Sequence, residues 1–542
     1  MKEFIRRHPL AVLFAFVTVC VLPMMIMRDA SVSNELRYLS IVEEALQNGN
    51  FFCFYNQGIP YTDKPPLFFW LLMFFRLFCG PANMWLPTLF TALVPSLLTV
   101  AIMDRWLLLA SATQLTSVSS RPERPLMSSR PERSEVERSP SPVSPLTRLT
   151  CASILTGGLL FLVQTFFLRM DMLMTLFIIL ALFTFYKMYT GAGTRPSDRW
   201  LLPLYIFLGL FTKGPVGFFA PVLAIIAFLA LEKQLKRLPE FLGWRQWLVM
   251  LALFGAWILG AWLEGGKEYI NSLLFHQTLD RAVNAYTHKH PFWWYIPTIL
   301  YCVLPYTLLQ IPAVAAVYAK CSRQDTFTRL LLCTIAVIFV MLSAFSGKLT
   351  IYLTPILPLM AYLIPAFDRL TAGRREGAKK AALLTPAIII AVLGAAIPLL
   401  WLLKGVASLN GIALRLTLAV PYIFCPTLIF AGAALALAAI AACVVIVKCG
   451  WKKGSVALAA AMLIGIFAAG CNMEPLNEYT GYKNVANAAL EAAGGSDCAI
   501  NTLYVRRPEN MDVYLGRDIT DYSEDIEAFV KVLKEENLNS SF

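Results

Sequence analysis

The sequence predicts an all-α polytopic membrane protein with a small C-terminal α/β region, and three observations predict it. Of the 542 residues, 58% are hydrophobic and only 15% are charged, against roughly 25% charged in soluble domains. The apolar residues fall into runs of the length that about 20 helical residues need to cross a hydrocarbon core. Lysine and arginine also collect in every other loop between those runs, and so on one side, as the positive-inside rule demands.

The runs lie near 9–27, 84–109, 150–168, 172–189, 200–212, 216–231, 246–263, 295–318, 329–345, 351–367, 381–403, 417–447 and 455–472, about thirteen spans by the length criterion. Lys2, Arg6 and Arg7 precede the first of them. That run is long and no small-x-small cleavage site precedes Arg28, so it reads as an uncleaved span with a cytoplasmic N-terminus. A polar outer loop follows at 28–83. Within it, Pro65–Phe78 is short and broken by Arg76, the pattern of a helix lying at the interface. Residues 111–149 repeat Ser-Ser-Arg-Pro-Glu-Arg at 119–124 and 128–133. A segment so rich in Ser, Pro and Arg cannot bury a core and is expected to be a disordered cytoplasmic insertion. Thr212-Lys213-Gly214-Pro215 breaks the chain between two short spans. The membrane domain is expected to cover 1–472. A small extracytoplasmic region at 473–542 would hold a helix at Asn484–Ala493, a strand at Cys498–Val505 and a charged last helix.

A net charge of +12 would suggest nucleic acid in a soluble chain. Here the basic residues sit in short loops on one side: Arg105 to Arg148, Lys187/Arg195/Arg199, Lys233 to Arg245, Lys320/Arg323, Arg369 to Lys380 and Lys448/Lys452/Lys453. Topology therefore accounts for the charge, and no nucleic-acid partner is expected. Of the twelve cysteines, Cys20, Cys151, Cys302, Cys333, Cys425 and Cys443 lie in apolar stretches at no metal-ligand spacing, and no disulfide framework is visible. His276, His288 and His290 share one polar loop and match no zinc motif.

The opposite side collects Glu35, Arg37, Asp63, Lys64, Asp171, Lys213, Arg281 and Lys348. Charge beside a bilayer is costly unless it binds something, so this outer face is the functional hypothesis. Structural readings stand beside it. Asp171 can cap the span that follows, Lys213 and Lys348 can reach to headgroups, Asp63-Lys64 can be a surface pair, and Trp293–Tyr295 can be an interfacial belt. A transporter or flippase is a competing function. It would carry charge at the bilayer midplane, often in repeated halves, whereas these charges cluster at one face of spans without an internal repeat.

The order of the motifs resembles the GT-C membrane glycosyltransferases, most closely the aminoarabinose-transferase and protein-mannosyltransferase-like group that uses polyprenyl-phosphate sugars. The matching pieces are Glu35-Leu36-Arg37-Tyr38, Tyr61-Thr62-Asp63-Lys64-Pro65-Pro66-Leu67 with Trp70, Arg169-Met170-Asp171-Met172, Thr212-Lys213-Gly214-Pro215, His290 to Tyr295, and Ser346-Gly347-Lys348 leading to Tyr352-Leu353-Thr354-Pro355. The resemblance implies a GT-C fold in the cytoplasmic membrane with the active site facing the periplasm or exterior. It also implies transfer of a sugar from a polyprenyl-phosphate donor to a lipid, glycan or protein acceptor. Such chemistry asks for a carboxylate that takes the acceptor's proton, with Asp63 ranked first and Glu35 and Asp171 behind it. Cations must hold the phosphate; Arg37, Lys64, Lys213, Arg281 and Lys348 are the candidates. Tyr61, Trp70, Trp293, Tyr295 and Tyr352 would line the groove for the lipid and acceptor. No cofactor is certain, and a divalent metal, if bound, would use Glu35, Asp63 or Asp171. One departure stands out: the family has Asp immediately before this Glu, and here the residue is Asn34, an amide that cannot act as a base. That substitution keeps a non-catalytic assembly subunit in view as a third reading.

Overall fold

Backbone inside a bilayer must satisfy its own hydrogen bonds, so long apolar runs close as helices. The computed structural model describes residues 8–32, 34–80, 83–119, 143–273, 289–403, 406–494, 500–517, 519–523 and 525–535. Its helices are, in chain order, α1 (Pro9–Met27), α2 (Glu35–Asn48), α3 (Leu67–Cys79), α4 (Val94–Ser119), α5 (Pro145–Thr156), α6 (Leu159–Gln164), α7 (Asp171–Thr190), α8 (Asp198–Lys213), α9 (Pro215–Leu231), α10 (Trp244–Asn271), α11 (Tyr295–Cys302), α12 (Thr307–Tyr318), α13 (Thr326–Ala344), α14 (Glu376–Leu402), α15 (Pro426–Cys449) and α16 (Trp451–Cys471), with shorter turns between them. Among the described residues, eight helical runs are long and apolar enough to cross a membrane: α1, Trp85–Leu115 including most of α4, α7, α10, α13, α14, α15 and α16. The fold is the polytopic all-α one that the composition predicts.

Several expected spans are broken, and the breakers are visible in the sequence. The run at 150–168 divides into α5 and α6 at Gly157-Gly158, where Gly157 lies so close to Ala459 of α16 that an added Cβ would come within 2.7 Å of it. The run at 295–318 divides into α11 and α12 around Pro305. The run at 351–367 becomes a 3-10 turn, Thr350–Leu353, and two short helices, Ile356–Ala361 and Ile364–Leu370; Pro355, which cannot donate to a helix, follows the turn, and Pro365 sits in the first turn of the last helix. The 417–447 run divides between the end of a 13-residue helix, Ala407–Ala419, and α15, which begins at Pro426.

The insertion is narrower than 111–149. Helix α4 continues to Ser119, and α5 begins at Pro145 with Ser144 capping it by accepting from the Thr147 N–H at 3.2 Å. Arg148 is no solvated loop residue either; it donates to Asp104 of α4 at 2.8 Å. Residues 120–142, with both hexapeptide repeats beyond Ser119, lie outside the described residues.

Ion pairs close one end of the bundle, on the loops that the charge pattern assigns to the cytoplasm. Lys187 meets Asp198 at 2.7 Å, Arg329 meets Glu232 at 2.9 Å, Arg369 meets Asp325 at 2.7 Å, and Lys452 meets Asp368 at 2.6 Å. The other end is covered by a platform. Helix α2 buries Leu36, Leu39, Ile41, Val42 and Ala45, spaced for one helical face, and ends at Gly49 in the left-handed conformation that glycine tolerates. A two-stranded hairpin, Tyr55–Asn56 against Ile59–Pro60, turns through Gln57 and Gly58, both at positive φ. Glu44 holds that turn by accepting the N–H groups of Gln57 at 2.6 Å and Gly58 at 2.9 Å. Helix α3 then leaves Phe74, Leu77 and Phe78 exposed while Arg76 pairs with Glu43 of α2.

The C-terminal region folds onto this platform. A helix at Lys483–Ala492 and a parallel pair of three-residue strands, Ile500–Thr502 and Ile519–Asp521, form a small α/β unit. Ser40 of α2 donates to Asp512 at 2.6 Å, the Gln57 side chain donates to the Glu509 carbonyl at 2.8 Å, and Val513 packs with Tyr38 and Phe68 in one apolar cluster.

Candidate functional site

The site is held by a clasp that the sequence pattern did not reveal. Arg28, at the end of α1, reaches the two oxygens of Glu35 at 2.7 Å each, and Glu35 is fully buried. The same carboxylate accepts the Ser31 N–H at 2.8 Å and the Leu168 N–H at 2.7 Å. Arg28 also donates to the Phe166 carbonyl at 3.3 Å and lies 4.2 Å over the Phe167 ring. Burial would raise this carboxyl's pKa, but Arg28 and the two backbone N–H groups outweigh it and hold the pKa below the usual range. The clasp ties the start of α2 to the turn before α7. Glu35 thereby becomes the anchor of the site, and its oxygens are already committed.

That tie sets Arg37 and Tyr38 against Arg169 and Asp171. The Tyr38 phenol is buried. Burial raises its pKa, Arg169 and Arg37 lower it, and Asp171 and Asp63 act on it in the opposite sense, so all four charges act on one phenol. Arg37 lies 5.5 Å over the Tyr61 ring. Asp171, at the first turn of α7 and 1% exposed, bonds Lys213 at the end of α8, with Arg169 Nε at 3.9 Å from its other oxygen. The Lys213 ammonium lies 4.4 Å over the Tyr352 ring. Gly214 makes this geometry possible: at φ 101° and ψ −150° it occupies backbone space that other residues avoid, and the chain reverses there into α9. Beyond the reversal α8 and α9 touch at Gly209 and Gly217, where a Cβ on Gly217 would collide with the Gly209 carbonyl.

Arg37, Asp63, Asp171, Lys213, Tyr61 and Tyr352 are therefore brought together, with Tyr38 and Arg169 among them. Asp63 and Lys64 are half-buried on the turn into α3. The turn is fixed on both flanks, by Tyr61 N–H to the Phe54 carbonyl at 2.7 Å and by the Thr62 hydroxyl against Ser272 at 3.0 Å. Other candidates stand apart. Lys348 is buried and donates to the Phe345 carbonyl of its own turn, and burial lowers its ammonium pKa. Tyr295 is completely buried and donates to the Leu349 carbonyl at 3.3 Å, so it is a packing residue rather than an open groove wall. Trp293 is half-exposed. Trp70 is wedged edge-on between Phe52 and Phe211 and donates to the Phe51 carbonyl at 2.6 Å. The loops carrying His290 and Gly347 do meet, through the bridge between Lys289 and Gly347 and the bond from His290 N–H to the Ser346 carbonyl at 3.4 Å. Arg281, His276 and His288 lie outside the described residues. Asn34 begins α2 half-buried, and its side chain makes no capping bond.

Among the described residues four buried guanidinium nitrogens, the Nε atoms of Arg28, Arg37, Arg169 and Arg329, have no hydrogen-bond acceptor, and those of Arg37 and Arg169 belong to the group around Tyr38 and Asp171. Buried donors of that kind are rare and mark where an acceptor belongs. A metal fits this donor set poorly: Glu35 is held by Arg28 and Asp171 by Lys213, and among the described residues no three His, Cys, Asp or Glu side chains converge. The arrangement is suited to an anion.

Comparison with known proteins agrees with the motif resemblance. The chain is 25% identical over 355 residues to an undecaprenyl phosphate-α-4-amino-4-deoxy-L-arabinose arabinosyl transferase of Erwinia tasmaniensis, covering 64% of this chain and 57% of that protein. It is 26% identical over 223 residues to an uncharacterised protein of Aquifex aeolicus, covering 41% of this chain and 42% of that one. The chain thus spans little more than half the length of the first of these relatives. Its fold matches crystal structures of ArnT from Cupriavidus metallidurans, one bound to undecaprenyl phosphate and one in the apo state. Each superposes with a TM-score of 0.69 at 16% identity over 98% of this chain, covering 89% and 91% of the solved chains. No family model matches. The fold is that of the GT-C glycosyltransferases, and the resemblance to their aminoarabinose-transferase group is borne out in sequence and in fold.

Proposed function

We propose that this chain is a glycosyltransferase that moves a sugar from a polyprenyl phosphate to an acceptor at the outer face of the cytoplasmic membrane, with an undecaprenyl-phosphate-linked aminoarabinose as the first donor to test. The observation that carries the reading is the pair of acceptor-less guanidinium nitrogens, Arg37 Nε and Arg169 Nε, beside the Lys213–Asp171 pair. As the glycosidic bond breaks, negative charge gathers on the departing phosphate, and cations fixed in a water-poor site stabilise that charge most. Arg37 and Arg169 meet the phosphate oxygens, while Lys213 is shared between the phosphate and Asp171. Asp63 takes the proton of the acceptor. The test is a purified enzyme given undecaprenyl-phosphate aminoarabinose and lipid A, with product mass as readout. A charge-assisted hydrogen bond contributes about 1.5–3 kcal/mol, so Arg37→Ala should lower kcat/KM by roughly 10- to 150-fold. Absence of transfer by the wild-type enzyme to lipid, glycan and protein acceptors alike, with no retention of the carrier lipid, sinks the proposal.

The sidedness has its own test, because Cys449 and Cys471, at the ends of α15 and α16, are both exposed. One helix separates them, so an impermeant thiol reagent should label Cys471 in intact cells and Cys449 only after permeabilisation. The reverse pattern would put the site on the cytoplasmic side.

A further inference from the structure

A cavity lies at the opposite end of α7 and α8 from the Asp171–Lys213 pair. Its volume is about 920 Å³, and its walls include Arg195, Arg199, Trp200, Glu240, Phe241 and Gln246. Helix α7 has 20 residues, about 30 Å at 1.5 Å per residue, so this cavity is separate from the site above. Its walls are stitched in place. Asp198, fully buried, accepts from Lys187 at 2.7 Å and from the Arg195 N–H at 2.9 Å, while Thr194 donates to the Lys187 carbonyl at 2.6 Å.

The charges do not cancel. Glu240 is answered by Arg237 at 3.0 Å, and Arg237 is itself spread over the Tyr189 and Phe241 rings at 5.2 and 5.3 Å. Asp198 is answered by Lys187. The exposed guanidinium groups of Arg195 and Arg199 have no ion pair among the described residues. Two positive charges are thus left over. Beside them Trp200 is half-exposed, the position tryptophan favours at a membrane interface. Gln246 belongs to α10, where Trp244, Leu248 and Leu251 are exposed at 68%, 54% and 63% and fall on one helical face.

We infer that this cavity binds the phosphate-bearing headgroup of an anionic phospholipid from the leaflet opposite the candidate active site. Arg195 and Arg199 hold the phosphate as forked donors. Trp200 lies at the headgroup level, and an acyl chain follows the Trp244, Leu248 and Leu251 face. A soluble anion would use the arginines and leave that face uncovered. A zwitterionic lipid would use the face and leave the two charges unanswered. A basic pocket between helix ends on the cytoplasmic side is the usual setting for anionic headgroups.

The test uses the full chain in detergent, stripped of lipid by washing. Phosphatidylglycerol should raise its melting temperature and be retained through native mass spectrometry, while phosphatidylcholine and inorganic phosphate should do neither. Each Lys or Arg near an anionic surface contributes about 1 kcal/mol, so Arg195→Ala with Arg199→Ala should weaken half-saturation by roughly 30-fold. Arg195→Lys with Arg199→Lys should keep most of the effect, and both variants should melt like the wild type without lipid. Equal binding by the alanine variant, or equal effects of phosphatidylcholine, or no response to phosphatidylglycerol, would overturn the inference. Inorganic phosphate reproducing the shift would make this a free-anion site, and preferential retention of undecaprenyl phosphate would assign it to the carrier lipid. Either result removes the phospholipid.

Discussion

Replacing Asp63 by Asn should lower sugar transfer by about 10²- to 10⁴-fold, the usual contribution of a positioned acid–base group, while leaving the melting temperature unchanged. Three carboxylates are candidates for the role, and the structure shows two of them bonded. Glu35 is 0% exposed and bonded to Arg28, Ser31 and Leu168, and Asp171 is 1% exposed and bonded to Lys213. Protonating either would cost the interaction that holds it. Asp63 is half-buried and acts on the same Tyr38 phenol as Arg37, Arg169 and Asp171. Its backbone is rigid: Pro65 and Pro66 follow it, and the Trp70 N–H closes the first turn of α3 on the Pro66 carbonyl at 2.8 Å. The replacement keeps the size, removes the charge and turns one acceptor oxygen into a donor amide. Measured as kcat with saturating donor and acceptor, full activity in Asp63→Asn would transfer the assignment to Asp171. The same assay on Asn34→Asp asks whether the missing family carboxylate matters. Asn34 adjoins Glu35, and an added negative charge at the start of α2 is favourable to that helix, so activity should be retained or increased.

What the sequence disclosed depended on how locally the information was written. The spans were legible because hydropathy is a property of consecutive residues, but the breaks at Gly157-Gly158, Pro305 and Pro355 were not read, since 150–168, 295–318 and 351–367 are each long enough to pass as one span. The sharing of one face by Arg37, Asp63, Asp171 and Lys213 was legible through the alternation of basic loops. Pairings were not. Glu35 stood out as a polar residue in a greasy chain, but the partner that occupies it is Arg28, which the sequence offers as the end of a span. The N–H it accepts from Leu168 comes from 133 positions away. Arg169 belongs to one of the matching motifs but was left out of the phosphate cations; its charge, two residues from Asp171, was the signal that could have included it. Docking of the C-terminal region on α2, through Ser40 with Asp512 and Gln57 with Glu509, joins residues more than 450 positions apart and leaves no periodic trace. Among the aromatics, Tyr295 was misplaced for a different reason. Aromatic residues at an interface read alike whether they face lipid or core, and Tyr295 proved to be core.

Breaking the Arg28–Glu35 clasp should be the largest single loss of stability in this part of the protein. Removing one partner of a buried ion pair typically costs about 3–5 kcal/mol, because the remaining charge stays buried without compensation. Glu35→Ala leaves the Arg28 guanidinium, 9% exposed, facing Phe167 and the Phe166 carbonyl with no carboxylate. Arg28→Ala leaves Glu35 with two N–H bonds and no cation. Both should lower the melting temperature in detergent and the amount in the membrane, whereas Arg28→Met with Glu35→Leu should recover much of the melting temperature, since well-packed apolar pairs often replace buried ion pairs without loss. Activity should follow a different pattern. The double variant keeps the fold but loses the tie between Leu168 and α2, so Arg169 and Arg37 lose their register and transfer should stay low. The same clasp makes stability acid-sensitive. The folded Glu35 carboxyl titrates below its unfolded value of about 4.3, so its contribution is complete above that pH and disappears as pH falls through the folded value. A Glu35→Ala protein that melts like the wild type yet transfers no sugar would mean that Glu35 works on the substrate, and the catalytic assignment would return to it.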